Sequence, residues 1–305
     1  MAREIWPNFF IVGAPKAGTT SLYEYLRRVP GVYMSPIKEP HFFNTINLVT
    51  VSSIPPIRGK AKYLRLFQGV RDEVAIGEAS TAYLRDPETP ERIREVVPGA
   101  RIIMLLRDPV ERAFSHYLAH IREGVQLFSF PEALRKDPYK DMYLAPGFYA
   151  QQVKRYLDAF GPGAVKILIF EEFIQDPKKA VNDVLRFLGL NSQPPLPVGE
   201  AHNAFAIPRV GWAYRLLRNR WARRAARALI PAPLRMLVRK KVLLKKASKP
   251  AMPQEARRFL EEVFRSDVQR LEHILGRSLS WFQARGQPAQ DQDKRTAAGT
   301  GNAHR

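Results

Sequence analysis

Four short apolar runs restrict this chain more than any other feature: NFFIV at 8–12, EVAIG at 73–77, RIIMLL at 101–106 and VKILIF at 165–170. Each alternates with a segment whose apolar residues recur at helical spacing, the pattern of parallel strands joined by crossover helices. The fold expected is α/β, a three-layer sandwich with a central parallel sheet. The helix after the third run is the best marked. Asp108 reads as its N-cap, Pro109 as its first residue and Glu111 as N3, while Val110, Ala113, Phe114, Tyr117, Leu118 and Ile121 keep the helical repeat. A second helix begins at Asp176-Pro177, turns Val181, Val184, Leu185 and Leu188 inward and stops at Gly189. A last one, roughly 253–275, is stitched by Leu260, Val263, Phe264, Leu271 and Leu275 and ended by Gly276.

One domain over 1–282 is expected, interrupted by a Pro-rich stretch at about 193–197 and a basic helical insertion at about 209–249, with a disordered polar tail at 283–305. The charge is +20, but fourteen basic residues and no acidic one fall between Arg209 and Lys249, leaving 35 basic against 29 acidic residues elsewhere. The basic character is therefore mainly one segment. That segment reads as a solvated insertion, as a surface for anionic lipid, or as an electropositive wall near an acidic ligand. Its arginines and lysines follow no nucleic-acid motif, and no nucleic-acid partner is expected. With no cysteine among 305 residues, thiolate zinc sites and thiol catalysis are excluded. Without a signal peptide or a long apolar span, the expected location is cytoplasmic, with peripheral contact at the inner membrane face as the alternative.

The stretch FFIVGAPKAGTTSLYEYL at 9–26 has the strand, glycine loop and helix of a phosphate-binding turn, but its lysine is displaced. A Walker loop carries Lys followed by Ser or Thr just after its second glycine, to reach β and γ phosphates and hold magnesium. Here Gly18 is followed by Thr19 and Thr20, and Lys16 lies inside the loop. Backbone N–H groups around Ala17 and Gly18 can still hold a 5′-phosphate, aided by Thr19, Thr20 and Ser21 hydroxyls. Lys16 can then reach a bridging oxygen that gains charge as a bond breaks.

GAPKAGTTSL resembles the 5′-phosphosulfate loop of the sulfotransferase superfamily, and RIIMLLRDPVERAFSHY (101–117) resembles its second signature. The resemblance implies 3′-phosphoadenosine 5′-phosphosulfate (PAPS) as donor, released as 3′-phosphoadenosine 5′-phosphate, with Arg107 and Ser115 on the 3′-phosphate and no metal. SPIKEPHFFN (35–44) is similar to the segment in which heparan-type carbohydrate sulfotransferases carry a catalytic glutamate, matching Glu39. The implied acceptor is a hydroxyl on a carbohydrate or glycolipid. Lys16, and second to it Lys38, would neutralise the sulfuryl group, and His41 is the competing base. In GEASTAYL (77–84), Ala79 stands where the heparan-modifying enzymes often carry lysine. Tyr149 reads equally as cleft lining or core. His116 and His120 have a metal-pair spacing but no accompanying carboxylate motif. The rival functions are a P-loop kinase or NTPase, and a non-enzymatic basic binder of membrane or nucleic acid.

Overall fold

A computed structural model describes residues 4–46, 56–123, 128–191, 206–208, 244–246 and 250–282. Five parallel strands form the central sheet: β1 (Phe9–Gly13), β2 (Val32–Met34), β3 (Ala75–Ala79), β4 (Arg101–Leu106) and β5 (Val165–Ile169), in the order β2-β3-β1-β4-β5. Phe9, Phe10, Ile11 and Val12 are all completely buried. An uninterrupted apolar run is what a strand with both faces covered requires, and each such side chain contributes about 1.5–3 kcal/mol. Beside β1, Phe9 lies in register with Gly77 of β3 and Arg101 of β4. A Cβ on Gly77 would stand 2.1 Å from the Phe9 ring, so the phenyl occupies the space a side chain would need.

The chain leaves β1 through α1 (Thr19–Leu26) toward β2 at one sheet edge, then returns through β3 to β4 and β5 at the other. Right-handed crossovers therefore put α1 on one face and the later crossover helices on the other. The contacts agree. Helix α1 packs against α9 (Pro177–Phe187), whereas α3 (Thr89–Val96) meets α7 (Tyr149–Phe160). The three-layer α/β class expected from the apolar runs is the fold observed. Asp108 caps α4 (Pro109–Glu123) and Asp176 caps α9, as their sequences require. The final helix, α10 (Gln254–Leu275), packs on α7 and α4 and ends at Gly276 in the left-handed conformation.

The second predicted strand, 73–77, is displaced by two residues and is β3. Val74 is exposed, and β3 runs on through Glu78 to Ala79. Most of the basic 209–249 segment and the Pro-rich and C-terminal tail regions lie outside the described residues. Within that segment Leu244–Lys246 is a short strand (β7), antiparallel to β6 (Ala206–Pro208), where helix was expected. Among the described residues no helix is long and apolar enough to cross a membrane.

Candidate active site

Strands β1 and β4 are neighbours whose onward connections part in opposite directions, which opens a crevice at their carboxyl ends. Two of the sequence-predicted elements, the Lys16 loop and the Arg107 junction, meet there. After β1 the Ala14 N–H bonds to the Leu105 carbonyl of β4 (2.7 Å), pinning the start of the loop. Lys16 (φ 68°) and Gly18 (φ 88°) adopt left-handed backbone. Among the described residues no backbone carbonyl accepts from the Gly18, Thr19 or Thr20 amide. Helix α1 starts with neither a side-chain cap nor an acidic residue in its first turn. Such a row of N–H groups at the positive end of a helix is a concavity for an anion. Thr19 is buried, Thr20 is exposed, and Lys16 and Ser21 are half-buried.

Arg107, just past β4, reaches back to this loop. Its Nη1 donates to the Lys16 carbonyl (3.0 Å), and its guanidinium sits 4.5 Å from the centre of the Phe170 ring. Its Nε is buried without a partner among the described residues. Burial pulls its pKa below the arginine range, against the opposing charges of Glu111 and Glu171. A stacked, partly unsatisfied guanidinium is well suited to a phosphate. Asp108 Oδ1 accepts from the amides of Val110 (2.9 Å) and Glu111 (3.4 Å), and burial pushes this carboxyl up to about 6. The Asp108 N–H donates to Glu171 Oε1 (3.2 Å), and Trp281 Nε1 donates to Glu171 Oε2 (3.1 Å), so the end of the domain closes on the same corner. Ser115 is half-buried, almost two turns into α4.

Beneath α4, Arg112 is fully buried, donates to the Tyr143 carbonyl and lies 3.5 Å from His116 Nδ1. The His116 and His120 rings are 4.5 Å apart, and His120 Nδ1 is 2.9 Å from the Tyr143 hydroxyl. Burial, followed by neighbouring positive charge that includes Lys16, depresses both histidines, His120 to about 4. They are neutral core groups, and among the described residues no cluster of three or more His, Asp or Glu side chains is arranged to hold a metal. Tyr149 is likewise core: it is fully buried, with its ring 6.0 Å from that of Trp281.

Glu39 enters from the other side of β1. Its N–H bonds to the carbonyl of Ala79 at the end of β3 (2.8 Å), and its carboxylate is held by four groups. Thr81 donates through its N–H (2.9 Å) and hydroxyl (3.1 Å), Lys38 Nζ is at 2.7 Å and His41 Nε2 at 3.3 Å. Burial alone would raise this carboxyl, but Lys38, His41 and the Thr81 N–H outweigh it and hold the pKa below the usual range. His41 is 3% exposed against 20% for the Glu39 side chain, and burial, opposed by Glu39, lowers its pKa. Glu39 is thus the accessible member of the pair, with His41 behind it. Both residues have positive φ, 65° and 54°. Left-handed backbone at non-glycine residues costs on the order of 1–3 kcal/mol each and collects at working sites.

Behind this pair stands a residue the sequence did not single out. Glu78 is fully buried, with Tyr63 donating to Oε1 (3.1 Å) and Ser80 Oγ to Oε2 (3.2 Å); burial pushes it up to about 8, so it is protonated at neutral pH. Ser80 Oγ also accepts the His41 N–H (3.1 Å), linking this buried acid to the Glu39 segment. Thr81, Phe170 and Arg112 were equally unmarked; only the polar residue inside an apolar strand could have pointed to Glu78.

The Sulfotransferase domain family model matches residues 7–272. A crystal structure of a sulfotransferase from Alicyclobacillus acidocaldarius superposes with a TM-score of 0.68 at 35% identity, covering 91% of this chain and 99% of that one. Among curated proteins, human bifunctional heparan sulfate N-deacetylase/N-sulfotransferase 3 is 29% identical over 210 residues, 62% of this chain and 24% of that protein. Human carbohydrate sulfotransferase 15 is 29% identical over 245 residues, 60% of this chain and 44% of that protein. The chain thus spans less than half the length of these curated relatives. Taken with the β1 loop, the Arg107 corner and the five-stranded sheet, the match over most of its length shows that the chain belongs to the sulfotransferase family.

Proposed function

We propose that the domain transfers a sulfuryl group from PAPS to a hydroxyl of a carbohydrate or glycolipid, releasing 3′-phosphoadenosine 5′-phosphate. The observation that carries this reading is the hydrogen bond from Arg107 to the Lys16 carbonyl, which joins two separate anion-binding elements at one crevice. The amides at Gly18–Thr20, with the hydroxyls of Thr19, Thr20 and Ser21, suit the 5′-phosphosulfate. The spare donor of Arg107, with Ser115, suits the 3′-phosphate. Loop amides and cationic side chains supply the neutralising charge, so the scheme needs no metal.

Glu39 takes the proton of the acceptor hydroxyl as the acceptor oxygen bonds to sulfur in line with the breaking S–O bond. The electron pair of that bond leaves on the 5′-phosphate oxygen, whose charge Lys16 and the loop amides stabilise. Lys38 and Thr81 keep Glu39 ionised and aimed; His41 accepts part of the load by donating to the same carboxylate. A sugar acceptor is favoured by the names of the relatives, which act on carbohydrate and heparan sulfate. The absence of cysteine fits a reducing compartment such as the cytoplasm. Nothing in the site favours a triphosphate-hydrolysing enzyme, because Thr19 and Thr20 stand where a Walker loop has its lysine. The test is transfer of labelled sulfuryl from PAPS to a panel of saccharides and glycolipids by wild type and Glu39→Gln. The variant should lose about 100- to 10,000-fold in kcat while binding 3′-phosphoadenosine 5′-phosphate as before. Unchanged turnover would remove Glu39 from the chemistry.

A further inference from the structure

A second cavity opens beside the crevice, with a volume of about 460 Å³. Its wall has an apolar part, Ile46 and Phe148, and a polar part that includes Arg85, Arg155, Asp141 and Gln152. The two segments that position the proposed base also build this wall. The chain from Glu39 runs on to Ile46, and the turn from Thr81, which holds Glu39, delivers Arg85. Asp86 fixes the junction, accepting from the amides of Thr45 and Ile46 (3.3 Å for Ile46) and from the Thr45 hydroxyl (2.9 Å). The Leu84 N–H bonds to the Val12 carbonyl at the end of β1 (2.8 Å), which puts Arg85 at the carboxyl edge of the sheet. Its charge is felt by Arg112 and His116 on α4, the helix of the donor side.

The polar wall is short of partners in a particular way. Arg155 donates to the Arg85 carbonyl (3.2 Å), but its Nε is buried without an acceptor. No hydrogen bond or ion pair of the Arg85 guanidinium is formed with the described residues; Asp141 and Asp86 act on it only as neighbouring charges. Gln152 gives its amide to the Ala145 carbonyl (2.8 Å) and leaves Oε1 buried without a donor. A ligand that completes this wall must supply acceptor oxygens to two guanidinium groups and a hydroxyl to a glutamine, with an apolar face for Phe148 and Ile46. Buried polar groups left unpaired are costly, so completing them gives binding energy and selectivity together.

We propose that this cavity is an acceptor-recognition subsite that takes a sugar ring bearing a carboxylate, with the carboxylate on Arg85 and Arg155 and a ring hydroxyl on Gln152. This rests on the sulfotransfer reading above, since it names the acceptor that reading leaves open. The ring lies against Phe148 and Ile46, the stacking arrangement by which a pyranose buries its C–H face. Asp141 at the rim accepts from a further hydroxyl and disfavours a second anionic group nearby.

The experiment is calorimetric titration of the full chain with methyl β-glucuronide, methyl β-glucoside and glucose 6-phosphate, each with and without saturating 3′-phosphoadenosine 5′-phosphate. Wild type, Arg85→Gln and Arg155→Gln are compared. The glucuronide should bind about 10-fold more tightly than the glucoside, and each variant should lose that preference while its affinity for 3′-phosphoadenosine 5′-phosphate stays unchanged. Equal binding of the two glycosides, no binding of either, or a preference that survives in both variants overturns the proposal. Tighter binding of glucose 6-phosphate overturns the carboxylate assignment in favour of a phosphosugar. Failure of the nucleotide to bind, with the glucuronide preference intact, would sink the donor reading and leave the subsite standing.

Discussion

Replacing Glu78 by glutamine should stabilise the protein at alkaline pH, by an amount that grows with pH. In the folded protein burial pushes the Glu78 carboxyl up to about 8, against the lowering effect of the Tyr83, Tyr63 and Ser80 hydroxyls. In the unfolded chain it titrates near its ordinary 4.5. Because the folded value is the raised one, the stability tied to this proton is whole below about 4.5 and is lost as pH rises through about 8. Each pH unit in that interval costs about 1.4 kcal/mol, so between pH 5 and pH 8 the wild type gives up about 3–4 kcal/mol through this group alone. Glutamine keeps one acceptor and one donor in the same shape and does not titrate. The stability of Glu78→Gln relative to wild type, from urea unfolding at pH 5, 6, 7 and 8, should therefore rise by about 3–4 kcal/mol across the series. A difference that is flat with pH, or that falls, would refute the view that Glu78 is buried as a neutral acid. The consequence reaches the site, because Ser80 passes the Glu78 hydrogen bond on to the His41 N–H.

Two further perturbations probe the scaffold of the donor side. Gly18→Ala forces a Cβ onto a residue at φ 88°, 3.0 Å from the Phe170 ring; unfolding should show about 1–2 kcal/mol of destabilisation and calorimetry a weaker affinity for 3′-phosphoadenosine 5′-phosphate, whereas unchanged affinity would detach this turn from the nucleotide. His120 has its folded pKa lowered to about 4 from 6.5, so stability present above about 6.5 is lost as pH falls toward 4. Against His120→Gln the wild type should lose about 3 kcal/mol over that window, and parallel pH profiles of the two proteins would contradict a buried neutral imidazole.

Much of the fold was legible because its strands are covered on both faces. A buried parallel strand must be continuously apolar, so β1, β4 and β5 stand out as runs, and capping Asp-Pro pairs announce the helices that follow. Strand β2 was missed because three residues carry no period, and β3 was displaced because Glu78 interrupts its apolar character from inside the core. The residues proposed for the donor could be named from resemblance to two family signatures, since the loop and the β4–α4 junction are each continuous in sequence. The environment of Glu39 could not. Its Thr81 partner is 42 residues away, and the contact of His41 with it depends on left-handed backbone at both Glu39 and His41. The Arg85 and Arg155 pair, separated by 70 residues, meets only because α7 packs beside the turn that follows β3. Spacing identifies groups that act through their neighbours in the chain; it is silent on groups assembled by the packing of distant elements.

The most direct test of the account is calorimetric titration with 3′-phosphoadenosine 5′-phosphate, using 5′-AMP as the control ligand and Arg107→Ala as the control protein. The wild type should prefer the 3′-phosphorylated nucleotide, and the variant should lose about 10- to 150-fold in affinity for it, the equivalent of about 1.5–3 kcal/mol for hydrogen bonds to a charged group, with little change for 5′-AMP. Equal affinity for the two nucleotides in the wild type would contradict the assignment of the Arg107 corner to a 3′-phosphate and with it the proposed donor.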